Sequence, residues 1–194
     1  MKYAKFITAV LVAFFTASTL SAQSTGFSAH VGYSPLTFKQ GSDSENWTGG
    51  LRVGVAAGRY VSTGVPLYVD YGLNFNYAWD SDNGTKENYL SAEIPANIGY
   101  QINVKGSSVA FSPYGGLSGR VNILAEKKIS GNSYNHFDGD DSSRWKRFQL
   151  GVQLGLKIVV GDKYIIGYEF NPNVTEIKDN RKTTFNTFFV GIKF

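Results

Sequence analysis

His30 and His136 are the only two histidines in the 194-residue chain, and it has no cysteine. A thiol nucleophile, a thiolate metal site and a disulfide framework are therefore excluded, and two distant imidazoles are too few for a histidine metal cluster. Ser28 and Ser34 flank His30, the one place where a hydroxyl and an imidazole stand close in sequence, but neither lies in a Gly-x-Ser-x-Gly elbow. No phosphate-binding loop, dinucleotide fingerprint or His-Glu-x-x-His pattern occurs. Asp138, Asp140 and Asp141 crowd one polar stretch with His136, Arg144, Lys146 and Arg147, without the glutamate that closes a calcium loop. The sequence thus predicts no catalytic residue, no cofactor and no metal. What remains are isolated charges set in apolar or neutral segments: Arg52, Asp70, Glu93, Arg120, Lys157, Glu169 and Lys193, with His30 beside them. Charges of both signs neutralise one another where water is scarce, so these residues read as a mutual network.

The segments that carry them alternate with period two. Phe148, Leu150, Val152, Leu154, Leu156, Ile158 and Val160 share one face, opposite Gln149, Gly151, Gln153, Gly155 and Lys157. That is a strand pattern and a poor helix pattern. The same alternation marks residues 27–33, 51–57, 67–79, 90–102, 109–123, 164–170 and 184–194, making eight strands. Several run 11 to 13 residues, longer than the usual strand and close to the roughly 9–11 that a tilted membrane strand needs. The sequence predicts an all-β fold, an eight-stranded antiparallel up-and-down transmembrane β-barrel.

The two faces differ in kind. One carries long aliphatic and aromatic side chains. The other carries Gly, Ser, Asn, Gln and the sparse charges. A soluble barrel, such as a lipocalin-like carrier, would show water a Lys- and Glu-rich face; this small, neutral face suits a crowded polar interior. Arg52, Asp70, Glu93, Arg120, Lys157 and Glu169 are expected to fill that interior. Tyr33, Trp47, Tyr77, Trp79, Tyr89 and Trp145 fall toward one rim, and Tyr60, Tyr100, Tyr164 and Phe194 toward the other, as two aromatic girdles. Connections alternate short (59–66, 103–108, 161–163) and long (38–47, 80–88, 125–147, 171–183). Short periplasmic turns and long external loops would leave both mature ends in the periplasm. Pro95 and Pro113, inside two strands, call for a bulge or a rim position.

Residues 1–22 read as a secretory signal peptide: Lys2 and Lys5 precede an apolar run over 7–15 and a polar, small-residue end at Ala22. Residues 23–194 form the barrel domain. With 19 Lys and Arg against 15 Asp and Glu, the formal charge is +4, and loss of Lys2 and Lys5 leaves +2. No basic tract suggests nucleic acid.

Three stretches resemble a known family. NYLSAEIPANIGYQI at 88–102 looks like a Tyr-Leu-Glu-Ile-Pro strand, with Ala92 as an extra residue between Ser91 and Glu93. FSPYGGLSGRVNI at 111–123 and FQLGVQLGLKIVVGDKYIIGYEFNPNVTEI at 148–177 resemble a Pro-Tyr strand and a Gly-rich hairpin. These are similar to the small outer-membrane β-barrel proteins of Bacteroidetes, the PorT-like group, and the ending of the leader, SAQ at 21–23, fits that phylum. TFFVGIKF at 187–194 resembles the C-terminal signal read by the barrel-assembly machinery, with Phe188, Val190, Ile192 and Phe194 on one face. The resemblance implies an outer-membrane location among lipid and lipopolysaccharide. It also implies folding by the assembly machinery and periplasmic chaperones. One relative acts in type IX secretion, so an extracellular or secretion-system protein partner is an implied alternative.

The functional expectation is a non-enzymatic outer-membrane protein with a structural or surface-interaction role and an interior plugged by polar and charged side chains. Its alternatives are narrow or gated porin-like transport, a secretion-system component, a soluble carrier, and a lipid-modifying barrel enzyme using Ser and His.

Overall fold

Side chains that alternate apolar and polar cannot bury one face in a helix, and here they form strands throughout. The computed structural model describes residues 26–62, 64–82, 84–138 and 144–194. Among these lie twelve strands: β1 (Gly26–Tyr33), β2 (Leu36–Gln40), β3 (Asp43–Trp47), β4 (Gly49–Ser62), β5 (Val65–Asp82), β6 (Thr85–Tyr100), β7 (Ile102–Asn103), β8 (Val109–Ile129), β9 (Asn132–Asn135), β10 (Phe148–Val160), β11 (Tyr164–Pro172) and β12 (Arg181–Lys193). The signal-peptide segment lies outside the described residues.

The strands belong to one antiparallel sheet in the order β1-β4-β5-β6-β8-β10-β11-β12-β2-β3, and β1 also pairs with β12. The expected eight-stranded up-and-down barrel is thus corrected. The sheet has twelve strands among the described residues, and β2 and β3 depart from sequence order. The extra strands come largely from segments read as connections, 38–47 and 125–147, while β7 takes Ile102 from the end of the strand expected over 90–102. Residues 36–47 fold back as a hairpin beside β12. β9 pairs with the far end of β8, and the short β7 with its near end. The stretch 80–88 is not a long loop either, because β5 and β6 stay paired out to Asp82 and Thr85. Backbone N–H and C=O groups need hydrogen-bond partners, and these ribbons supply them from within the chain.

β5, β6 and β8 contain 18, 16 and 21 residues, well beyond a membrane crossing of about 9–11. Their surplus stands at the ribbon end, with the β2–β3 hairpin. At the opposite, turn end, Gly161 and Asp162 both take positive φ (60° and 54°), the geometry of a two-residue hairpin that glycine tolerates without cost. Gly26 and Lys193 also lie at this end, on strands paired in register.

The faces are inverted relative to a water-soluble protein. Along β10, Leu154 is 55% exposed while Gln153 is fully buried. Leu51, Val53 and Val55 are exposed on either side of the buried Arg52. The prolines fit without moving the register far: Pro95 is buried opposite Ser118, and Pro113 pairs with Leu156. The register shifts lie elsewhere. One falls between Tyr60 and Ser62. The other falls where Leu90 opposes Leu124 but Ser91 opposes Asn122, so β8 carries the extra residue. Through Ala92, β6 keeps one phase, with Tyr89, Ser91 and Glu93 all buried.

Candidate functional site

The polar face of the sheet is the interior, and each long strand contributes to it by alternation. Arg52 comes from β4, Asp70 from β5, Glu93 from β6, Arg120 from β8, Lys157 from β10 and Glu169 from β11. Glycine opposite a long side chain gives it room: a Cβ on Gly155 would lie 2.3 Å from the Tyr114 ring, so only glycine admits that aromatic at this point.

At mid-depth Glu93 is the centre of convergence. Arg120 Nη2 donates to Glu93 Oε2, and Arg52 Nη2 lies 3.6 Å from Glu93 Oε1. Gln153 Nε2 donates to Glu93 Oε1 at 2.8 Å, Asn171 Nδ2 to Oε2 at 2.9 Å, and Asn74 Nδ2 to Oε1 at 3.2 Å. Arg52 also donates from Nη1 to Glu169 Oε1 at 2.5 Å and from Nε to Asn76 Oδ1 at 2.7 Å. Tyr114 OH donates to the other Glu169 oxygen at 2.9 Å. Toward the turn end, Lys157 pairs with Asp70, which also accepts from Asn97 at 2.9 Å. The six residues therefore meet as two clusters, Arg52–Glu93–Arg120–Glu169 and Asp70–Lys157. Desolvated charges persist only with such partners, and Glu93 has them on both oxygens.

Toward the ribbon end the polar layer thins to neutral groups. Tyr89 OH donates to Asn122, Asn122 Nδ2 to Gln149 at 3.2 Å, and Thr183 Oγ1 to Gln149 at 3.3 Å. Above it sits an apolar cluster that sequence reasoning missed: Leu36, Phe38, Trp47, Ala78, Tyr89, Ala125, Phe137, Trp145, Ile177 and Phe185. The girdle expectation is corrected accordingly. Trp47, Tyr89 and Trp145 are buried inside this cap, whereas Tyr33, Tyr77 and Trp79 stand exposed on the rim. At the other rim Tyr100, Tyr164 and Phe194 are exposed, but Tyr60 turns to donate to Gln101 at 2.5 Å. Arginines stitch the cap to its surroundings: Arg120 stacks over Phe185 at 4.3 Å, and Arg181 over Phe38 at 4.2 Å. His136 stacks on Trp145 with centroids 4.1 Å apart. Burial there holds its imidazole below the ordinary value, and Arg181, Lys127 and Lys178 add to the effect while Glu87 opposes it.

Of the two serines in the Ser–His alternative, Ser28 lines a small cavity with His30 and Ser34 is engaged elsewhere. His30 Nε2 lies 3.0 Å from Asn74 Oδ1, while Ser34 Oγ pairs with Thr187 at 2.8 Å. Asp138 is described, Asp140 and Asp141 lie outside the described residues, and among those described no three His, Asp or Glu side chains form a metal-binding group. The proposed assembly face lies outward: Phe188, Val190 and Phe194 are exposed, with Ile192 half-buried opposite Tyr164.

Polar interior and lipid-ready exterior agree with the sequence comparison. The outer membrane protein beta-barrel domain family matches residues 7–194. The chain belongs to this family. No curated protein matches it in sequence. Among solved structures it is similar to the Neisserial surface protein A (TM-score 0.58, 16% identity, covering 90% of this chain and 100% of that one). Ail, the attachment invasion locus protein of Yersinia pestis, is similar at TM-score 0.54 and 11% identity, covering 88% and 99%. The outer membrane enzyme PagL follows at 0.50 and 14%, covering 86% and 98%. Identities this low show a shared fold and nothing of activity. As an outer-membrane β-barrel domain, the protein sits among lipid and lipopolysaccharide, and folding by the general barrel-assembly and chaperone route goes with that setting.

Proposed function

We propose that this outer-membrane domain is a filled, non-catalytic scaffold that holds its ribbon end outside the cell for contact with an extracellular or envelope partner. Residues 1–22 are its signal peptide and 23–194 its mature domain. The turn end, with both mature termini, faces the periplasm. The PorT-like, Bacteroidetes affiliation suggested by the strand motifs belongs to the same reading.

One observation carries it: the Arg52–Glu93–Arg120–Glu169 cluster crosses the interior with Arg120 and Glu93 fully buried, directly beneath an apolar cap. Opening a continuous aqueous path requires separating these charges and lifting the aromatics together. Each broken buried pair costs about 3–5 kcal/mol. The purified protein in planar bilayers is expected to give no stable large conductance. Reproducible nanosiemens channels at modest voltage, absent from an unfolded control, would establish porin-like transport instead.

A further inference from the structure

Four cations point into the interior at strand depth, Arg52, Arg120, Lys157 and Lys193, against three carboxylates, Asp70, Glu93 and Glu169. The first three cations are paired with those carboxylates. Lys193 is the fourth. Its side chain turns inward across the start of β1, where a Cβ on Gly26 would meet Lys193 Cε at 2.8 Å. Among the described residues no carboxylate pairs with it. Lys193 is thus the inward cation of this set without a side-chain carboxylate partner, at the turn end, where Arg59 and Phe194 also border the cavity.

Lys193 borders a cavity of about 300 Å³ that opens at that end, with the Lys157–Asp70 pair also in its lining. Small ligand sites begin near this volume. The lining breaks the rule followed by the rest of the interior. Val159 and Ile165, opposite one another across the β10–β11 ladder, are buried in its wall. Outside β2 and the ribbon-end cap they are the branched aliphatic side chains that the described strands bury inside. Tyr60 and Tyr68 add ring surface beside them. An unpaired ammonium next to an apolar wall, in a site open to water, matches a ligand with one charged end and one short apolar body.

We propose that the turn-end cavity binds a small amphipathic carboxylate, with its carboxylate on Lys193 Nζ and its apolar body against Val159 and Ile165. The cavity volume fits a short acid rather than a full lipid acyl chain. Burial of the apolar body supplies affinity, and the ammonium supplies selection for charge in a partly desolvated setting.

The test uses the folded full chain in nanodiscs of zwitterionic lipid, titrated with 4-phenylbutyrate and, separately, with its uncharged amide. Binding is read by calorimetry and by backbone NMR shifts near Val159 and Lys193. Saturable binding of the acid at least tenfold tighter than the amide is expected. Lys193→Gln should erase that difference, Lys193→Arg should keep it, and Val159→Ser should weaken acid and amide together. Equal binding of acid and amide by the unmodified protein, no saturable binding of either, or undiminished discrimination in folded Lys193→Gln would each overturn the proposal. Should Lys193→Gln not fold, the acid–amide comparison on the unmodified protein and the Val159→Ser variant still decide it.

Discussion

Trp79 and Trp47 lie near the same end of the molecule and do opposite things. Trp79, on β5, is exposed on the outer face, while Trp47, on β3, is buried in the apolar cap against Phe38. The difference follows the solvent. At bilayer depth the apolar side chains face outward and polar groups fill the inside, because hydrocarbon does not drive apolar groups inward and offers no partner to polar ones. Where the ribbons rise beyond the bilayer, water returns and the hydrophobic effect resumes its usual direction, gathering Leu36, Phe38, Trp47, Trp145 and Ile177 inside. One chain thus follows two packing rules, and the change occurs between Arg120 and Ala125 on β8.

The largest effect should come from the inverted zone. Glu93→Gln removes the carboxylate that partners Arg120 and approaches Arg52, leaving buried cations short of countercharge. A loss of about 3–5 kcal/mol is expected, measured as a shift in urea refolding titrations in lipid vesicles. The double variant Glu93→Gln with Arg120→Gln should recover part of that loss. A Glu93→Gln protein as stable as the unmodified one would show that the interior is wet and that the two zones differ little.

Next in size is the outer face. Leu154 is near the middle of β10 and exposed toward lipid, so Leu154→Arg should cost about 2–4 kcal/mol. The adjacent Gln153 is buried beside Glu93 and Glu169, and Gln153→Arg should cost less because two carboxylates receive the new charge. Equal losses in refolding titrations would refute the assignment of the two faces.

These contrasts explain what the sequence discloses. Period two within one zone is plain: residues 148–160 can be assigned inward and outward by inspection, and Arg52, Glu93 and Arg120 follow from the same alternation. The pattern is lost where the phase breaks. On β8 the extra residue near Ile123 shifts the buried set from Asn122 to Ala125, so a strand that continues to Ile129 reads as ending at Ile123. Beyond that point polar ribbon and polar loop have the same composition, which is why β2, β3 and β9 read as connections. The cap was hidden for a related reason. An aromatic at a strand end belongs equally to a lipid girdle or to a buried cluster, and only the hairpin that brings Phe38 and Trp47 over Tyr89 decides which. Lys193 was legible as an inward charge, but its lack of a partner depends on the far wall and not on any local pattern.

The smallest effect should come from the cap, through pH. His136 lies outside the inverted zone, stacked on Trp145, with its folded pKa held below the ordinary 6.5 by burial first and nearby cations second. The unfolded ribbon therefore binds a proton more readily than the folded one. Stability of the cap is unchanged well above pH 6.5, falls as pH drops through that value, and levels off below the depressed folded pKa. Hydrogen exchange between pH 7.5 and 5 should show faster opening at Trp145 and Phe137 after correction for intrinsic rates. His136→Phe retains the stack without the titrating nitrogen and should remove the pH dependence at the cap. If the cap loosens with acid to the same extent in His136→Phe, the sensitivity lies in another group, and the stack on Trp145 is packing alone.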